Sequence, residues 1–412
     1  MNIKDLKGKT VGMCVSGGLD SKTVTKKFKD EGIDVICFTA DLAQPDEKDI
    51  NDVIKKMAPC GAETIVVDVK NEMAEICFET IKASATYDGG YWNTTGIARA
   101  VTVQGIVKAM KARGVNVLAH GATGRGNDQM RFERYTRSLA PEMEVYAPWR
   151  DAELLEQFPG RTEMADYLAQ FDIPAVIGMK KKYSTDANLA GLSHEAEDLE
   201  YLETSCLIVE PTMGVWPQDA PDKIEEISIR YEAGRAVEIN GVAVNPLEAM
   251  LKANEIGGRN GIWMKNALEN RIIGTKSRGV YEAPGMEVLN KGLQQILQAT
   301  LDRRATALYW QMSRLIADHI YDGRYFDEST KAAQAAVNTL TASASGLVKL
   351  GLYKGNIFFN SMTEVAASLY NEEDSSMEAS DGLNPVSSQG YADIISVEAK
   401  ALAKAGQFKG DS

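Results

Sequence analysis

Short apolar runs rich in β-branched residues alternate with stretches of helical periodicity over the first third of the chain. The spacing predicts strands over 10–15, 34–39, 63–69, 115–119 and 144–147, separated by helix-like segments such as 22–31. Runs that are apolar on both faces and alternate with helices fit a parallel sheet covered on both sides. The fold class expected is therefore α/β, a doubly wound, mainly parallel sheet. In such sheets ligands bind beyond the carboxyl ends of the strands, where two Gly-rich segments, 16–21 and 121–128, fall. Both are expected to open onto one crevice.

The pattern then changes. Residues 151–172 read as helical, with Gly160 opening a second helix, and Pro174 marks a linker. Beyond it, 223–231 alternates in hydropathy, and 237–239 and 242–244 flank Asn240-Gly241, a strong hairpin signal. Helices are expected over 286–298 and 304–321, with a second hairpin around Lys354-Gly355-Asn356. A polar, turn-rich tail over 371–389 leads to a helix over 391–405, where Ile394, Ile395, Ala401, Leu402 and Ala405 recur at helical spacing. A helix of that length on such a linker cannot bury its own apolar face, so packing against another subunit is expected. The organisation expected is a doubly wound domain over 1–171, an α+β domain over 172–370 and a helical arm over 371–412.

Composition narrows the function classes. With 45 Lys and Arg against 58 Asp and Glu, the net charge is −13, which argues against broad affinity for nucleic acid or an anionic membrane. Small anionic ligands must then be held by local donors. No run reaches membrane-spanning length and Met1 to Asp5 carry no apolar signal core, so a cytoplasmic protein is expected. The 5 cysteines lack a C-x-x-C pair and the 3 histidines, His120, His194 and His319, lack metal-ligand spacing, so neither a disulfide framework nor a protein-built metal site is expected.

The most specific local signal is Ser16-Gly17-Gly18-Leu19-Asp20-Ser21, set between the first strand and a helix. Two glycines let the backbone approach an anion, and the helix N-terminus turns free N–H groups and partial positive charge toward it. Read alone, the segment is equally a turn followed by an Asp-Ser cap. The pattern resembles the PP-loop of ATP pyrophosphatases, which cleave ATP between the α and β phosphates. It lacks the Walker spacing.

Further segments make the resemblance narrower. His120-Gly121-Ala122-Thr123-Gly124-Arg125-Gly126-Asn127-Asp128-Gln129-Met130-Arg131-Phe132-Glu133 is similar to the G-A-T-G-K-G-N-D-Q-x-R-F-E signature of the argininosuccinate synthase family, with Arg125 in place of lysine. Tyr183-Ser184-Thr185-Asp186-Ala187-Asn188, Ser193-His194-Glu195-Ala196, Glu269-Asn270-Arg271 and 276–285 resemble that family's second domain. The resemblance runs in unbroken order from about Thr10 to Asn356, and Tyr91-Trp92-Asn93-Thr94-Thr95 points to the family's longer bacterial chains. Two departures stand out: Lys22 occupies a usual serine, and Ala43 a common glycine. Lys22 in the first helical turn opposes the helix dipole by roughly 0.3–1 kcal/mol. It is either a solvated side chain or an extra clamp on pyrophosphate.

The resemblance implies a PP-loop domain, a synthetase domain and an oligomerisation arm in a homotetramer, with ATP and Mg²⁺ serving the ligation of citrulline and aspartate in arginine biosynthesis. It implies nucleotide contacts from Cys14, Val15, Ser16, Gly17, Gly18, Leu19, Asp20, Ser21, Ala40, Gly121, Thr123, Ser184 and Asp186. Asp20 either caps its helix or approaches the metal. Aspartate would be held by Thr123, Asn127 and Asp128. For citrulline, Arg131 suits the carboxylate, Glu195 and Glu269 suit the ammonium or ureido N–H groups, and Tyr91, Thr95, Ser184, Ser193 and Tyr281 supply hydroxyls. Asp128 and Arg131 are the implied catalytic residues. Arg99, Lys276 and Arg278 read equally well as structural cations, and the histidines as structural. Two other readings are an adenylating PP-loop ligase with a different acceptor or amine, and a nucleotide-binding regulator without turnover.

Overall fold

The computed structural model describes residues 1–124, 126–175, 183–376 and 384–407. The chain separates into two compact units, Met1–Ala366 and Ala367–Ser412. In the first unit, β1 (Thr10–Cys14), α1 (Leu19–Asp30), β2 (Asp34–Asp41), α2 (Asp52–Met57), β3 (Glu63–Asp68), α3 (Lys70–Lys82), α4 (Thr94–Ala112), β4 (Val117–His120), α5 (Asp128–Leu139) and β5 (Glu144–Tyr146) follow in order. Their strands form a parallel sheet of order β3-β2-β1-β4-β5. The chain winds outward from β1 in both directions, so the switch point lies between β1 and β4, where Cys14 pairs with His120.

The α/β doubly wound expectation holds, and period-2 burial explains it. Val11, Met13 and Val15 face one side, packing with Val24 and Phe28 of α1. Cys14 faces the other, against the core that holds Ile106 and Met110 of α4. Each fully buried aliphatic or aromatic side chain here contributes about 2 kcal/mol. The helical stretch after β5 is broken into α6 (Ala152–Gln157) and α7 (Arg161–Ala169), with Gly160 as the second N-cap.

Beyond the linker come β6 (Ser184–Asn188), β7 (Gly191–Glu195), β8 (Glu225–Glu232), β9 (Arg235–Ile239), β10 (Val242–Ala243), α8 (Pro246–Arg259), β11 (Met264–Asn270) and β12 (Lys276–Glu282). After them run α9 (Pro284–Thr300), α10 (Arg303–Tyr321), α11 (Glu328–Thr341), β13 (Gly346–Tyr353) and β14 (Asn356–Thr363). Two antiparallel sheets result, β10-β9-β8-β13-β14 and β11-β12-β7-β6. Both expected hairpins form, with Asn240-Gly241 and Lys354-Gly355 at positive φ in their turns. Asn245 and Glu248 close a capping box on α8, whose Pro246 starts the first turn. One hydrophobic core runs from α3 and α4 through α8, α9 and β13, joining this region to the parallel sheet.

The second unit contains α12 (Glu372–Ser375) and α13 (Ser387–Lys404) among its described residues. Tyr391, Ile394, Ile395 and Val397 of α13 are exposed. Among the described residues no helix is long and apolar enough to cross a membrane.

Candidate active site

The loop after β1 is shaped by a few bonds. Val15 N–H still donates to the Phe38 carbonyl at 2.9 Å, and the next N–H, from Ser16, donates to Ser21 Oγ at 3.0 Å. Gly17 sits at φ +77°, left-handed backbone that a side chain would strain. Gly18 is the N-cap of α1 and supplies no capping side chain, so the helix begins at Leu19, three residues before its expected start. Lys22 N–H makes an early ladder bond, to Gly18 O at 3.1 Å, and the N–H groups ahead of it have no helical carbonyl to meet.

A cleft of about 370 Å³ opens at this point, beyond the carboxyl ends of β1, β2 and β4. Of the residues expected around a nucleotide, Cys14, Val15, Ser16, Asp20, Ser21, Ala40, Gly121 and Asp186 line it. Gly17 and Gly18 build the turn behind that wall, and Leu19 faces inward, 8% exposed in the core. Thr123 and Ser184 are exposed and outside the lining. Phe38, Leu42, Ile50, Val53 and Ile106 give the cleft an apolar side. Burial raises the Asp20 carboxyl above its ordinary pKa, while its own backbone N–H and Arg161 pull it back. No group of three His, Cys, Asp or Glu side chains forms a metal cage among the described residues.

The four-stranded antiparallel sheet builds the neighbouring surface by simple alternation. Register pairs Ser184 with Glu195, Asp186 with Ser193, Ser193 with Tyr281, and Glu269 with Ser277, which puts these side chains on one face. Tyr281 stacks on Tyr91 with centroids 4.1 Å apart and its hydroxyl bonds to Glu269. Gly279 is needed beneath it, because an added Cβ would lie 2.3 Å from the Tyr281 hydroxyl. The Tyr91 hydroxyl in turn accepts Thr95 N–H at 3.1 Å, tying this face to the start of α4.

Arg99, one turn further along α4, joins the cleft to that face. Its guanidinium donates to Asp128 at 2.9 Å and to Asp186 at 2.6 Å, and Thr95 Oγ1 donates to the same Asp186 oxygen at 3.3 Å. Arg131, 3% exposed, donates to the other Asp128 oxygen at 2.9 Å and through Nε to the Tyr321 carbonyl at 3.0 Å. Burial alone would raise the Asp128 pKa, but the two guanidiniums more than offset it and hold the carboxyl below its usual range. Glu195 behaves in the opposite way. The residue retains solvent access, yet burial of its carboxyl first, and then the Asp128, Asp186 and Glu269 carboxylates, push it from 4.5 to about 7 against the pull of Arg271.

The chain matches two family models in sequence order, the Arginosuccinate synthase N-terminal HUP domain over residues 10–174 and the Arginosuccinate synthase C-terminal domain over residues 183–402. It is also 39% identical over 389 residues to the argininosuccinate synthase of Rhodopirellula baltica, covering 94% of this chain and 96% of the relative. The chain belongs to the argininosuccinate synthase family.

Membership in that family sets the unexpected residues in relief. Arg99 read equally well as a structural cation from sequence, yet it bridges the two carboxylates where cleft and sheet face meet. Its signal was the spacing of Thr95 and Arg99, one turn apart on one face of the helix. Lys276 and Arg278 instead bond Asn270 and Asn266 and do not line the cleft. Lys22 donates to the Pro174 carbonyl at 2.7 Å. Ala43 adopts φ +54°, which explains why a glycine suits that position in the family. Of the histidines, His120 stacks on Phe132 and is pushed down to about 4, by burial above all, while buried His194 pairs with Glu282 at 2.8 Å.

Proposed function

We propose that the protein joins citrulline to aspartate at the expense of ATP, yielding argininosuccinate, AMP and pyrophosphate through a citrullyl-adenylate. The observation that carries this reading is the pairing of Cys14 with His120, which sets the Ser16–Ser21 turn and Gly121 on one cleft whose far edge is Asp186 and Asp128. A urea carbon is a poor electrophile. The ureido oxygen of citrulline therefore attacks the α-phosphorus, the P–O bond to the leaving pyrophosphate breaks, and that oxygen becomes part of a leaving group. The aspartate amine then attacks the ureido carbon, loses a proton, and expels AMP.

Both steps call chiefly for positioning and charge stabilisation. The loop N–H groups with the Ser16 and Ser21 hydroxyls take the phosphates, the apolar side of the cleft takes the base, and Ala40 and Gly121 contact the nucleoside through backbone. The single carboxylate of Asp20 would help to hold the Mg²⁺ that accompanies the triphosphate, a cation that keeps phosphate and water ligands and would supply neutralisation of the phosphate charge. Asp128, held ionised by Arg99 and Arg131, faces the aspartate ammonium, with Asn127 and Thr123 on its carboxylates. Glu195, Glu269, Ser193, Tyr91 and Tyr281 receive citrulline, and Arg131 has guanidinium N–H groups to spare for its carboxylate. Residues 371–412 assemble four copies in the cytoplasm.

The deciding experiment is pyrophosphate release from ATP with each amino acid omitted in turn. Full turnover is expected with citrulline and aspartate together, a single-turnover burst with citrulline alone, and no release with aspartate alone. Turnover with another amino-acid pair would favour a different ligase, and no turnover with any pair a regulator.

A further inference from the structure

Tyr321, the last residue of α10, belongs to none of the recognised motifs, yet it is 1% exposed and touches both substrate sides of the site. The end of the helix fixes it. Arg324 N–H reaches back to His319 O at 2.7 Å and Gly323 N–H to Ile320 O at 3.2 Å, with Gly323 at φ +73°. This Schellman closure satisfies those two carbonyls and leaves that of Tyr321 for Arg131 Nε. The ring is held too, stacked on Tyr87 with centroids 3.8 Å apart and lying beneath the Arg131 guanidinium at 5.0 Å.

The hydroxyl is then oriented by elimination. Asn127 Oδ1 accepts the Ile272 backbone N–H at 3.0 Å, and a backbone N–H can only donate, so the amide cannot be turned over. Asn127 Nδ2 therefore donates to Tyr321 Oη at 2.8 Å. Burial first, and then the nearby Glu269 carboxylate, raise the phenol far above its ordinary pKa. One Nδ2 hydrogen of Asn127 has no acceptor among the described residues and is available to a ligand carboxylate.

We propose that Tyr321 is a positioning residue that couples the two amino-acid pockets, setting Asn127 for aspartate through its hydroxyl and Arg131 for citrulline through its carbonyl and ring. This rests on the functional reading above. Tyr321→Phe keeps the ring stack and removes only the hydroxyl. It is expected to raise the KM of aspartate roughly three- to tenfold, with the KM values of citrulline and ATP and the melting temperature unchanged, whereas Tyr321→Leu, which also removes the ring beneath Arg131, should raise the citrulline KM as well. In a cycle with Asn127→Ala, the aspartate effects should be non-additive, since both changes break one link. A purely structural role would lower kcat or the folded fraction and leave both KM values in place; that result, with an active parent enzyme, overturns the coupling alone. A parent enzyme that releases no pyrophosphate with citrulline and aspartate overturns the functional reading and the coupling with it.

Discussion

Glu195 carries the clearest pH signature at the scale of single residues. With its folded pKa pushed up to about 7 from 4.5, the ligand-free fold binds this proton more tightly than the unfolded chain does. The contribution to stability therefore falls as pH rises from the ordinary carboxylate range through about 7, and Glu195→Gln should relieve that loss above pH 7. An α-ammonium bound beside it favours the ionised form, so citrulline affinity should climb over the same interval with proton release at pH 6. Calorimetry of citrulline binding in buffers of different ionisation enthalpy checks this; a buffer-independent enthalpy in the parent protein would contradict it, and Glu195→Gln should abolish the dependence. Sequence named Glu195 for an ammonium or ureido N–H groups, but the raised pKa comes first from burial and then from Asp128, Asp186 and Glu269, which lie elsewhere in the chain. Ala43 shows the reverse situation, in which the local backbone explains a sequence oddity: its left-handed φ costs roughly 1 kcal/mol that a glycine would avoid.

At the scale of elements, the site is a product of strand alternation and helix ends. The strand at 276–282 brings Tyr281 to the substrate face only because Gly279, two residues earlier on that face, leaves room for its ring. Gly279→Ala would force Tyr281 off Tyr91 and away from Glu269. We expect a loss of about 1–3 kcal/mol in stability, read by thermal or denaturant unfolding, and a citrulline KM raised by about tenfold or more. An alanine variant with parental melting and KM would show that the ring position is not required. Periodicity located most strands within a residue or two, because parallel strands are apolar on both faces and hairpin turns carry their own chemistry. It did not pick out β6, β7, β11 or β12, and it could not say which face of β7 carries Ser193 and Glu195, since that depends on pairing with β6 and β12, 81 or more residues away in the case of β12. The break between α6 and α7 at Gly160 was legible, whereas the Schellman end of α10 mattered only once Arg131 was found against it.

For the whole molecule, the exposed apolar face of α13 is the feature without an intramolecular explanation. Tyr391, Ile394, Ile395 and Val397 are more than half exposed, and such a face is stabilised by a partner rather than by water. Removing residues 384–412 should lower the assembly state measured by sedimentation or light scattering while leaving the first unit folded; an unchanged assembly would refute the arm's proposed role. The order of apolar runs determined the doubly wound class and the loop at the end of β1, because burial on both faces and helix N-termini are local consequences of sequence. The ordered signature segments determined the family. Tertiary structure alone decided that Arg99 spans Asp128 and Asp186, that Tyr321 lies between Asn127 and Arg131, and that Glu195 is crowded by like charges. These are meetings of side chains far apart along the chain, and their energies depend on distance and dielectric surroundings that exist only after the sheets have packed.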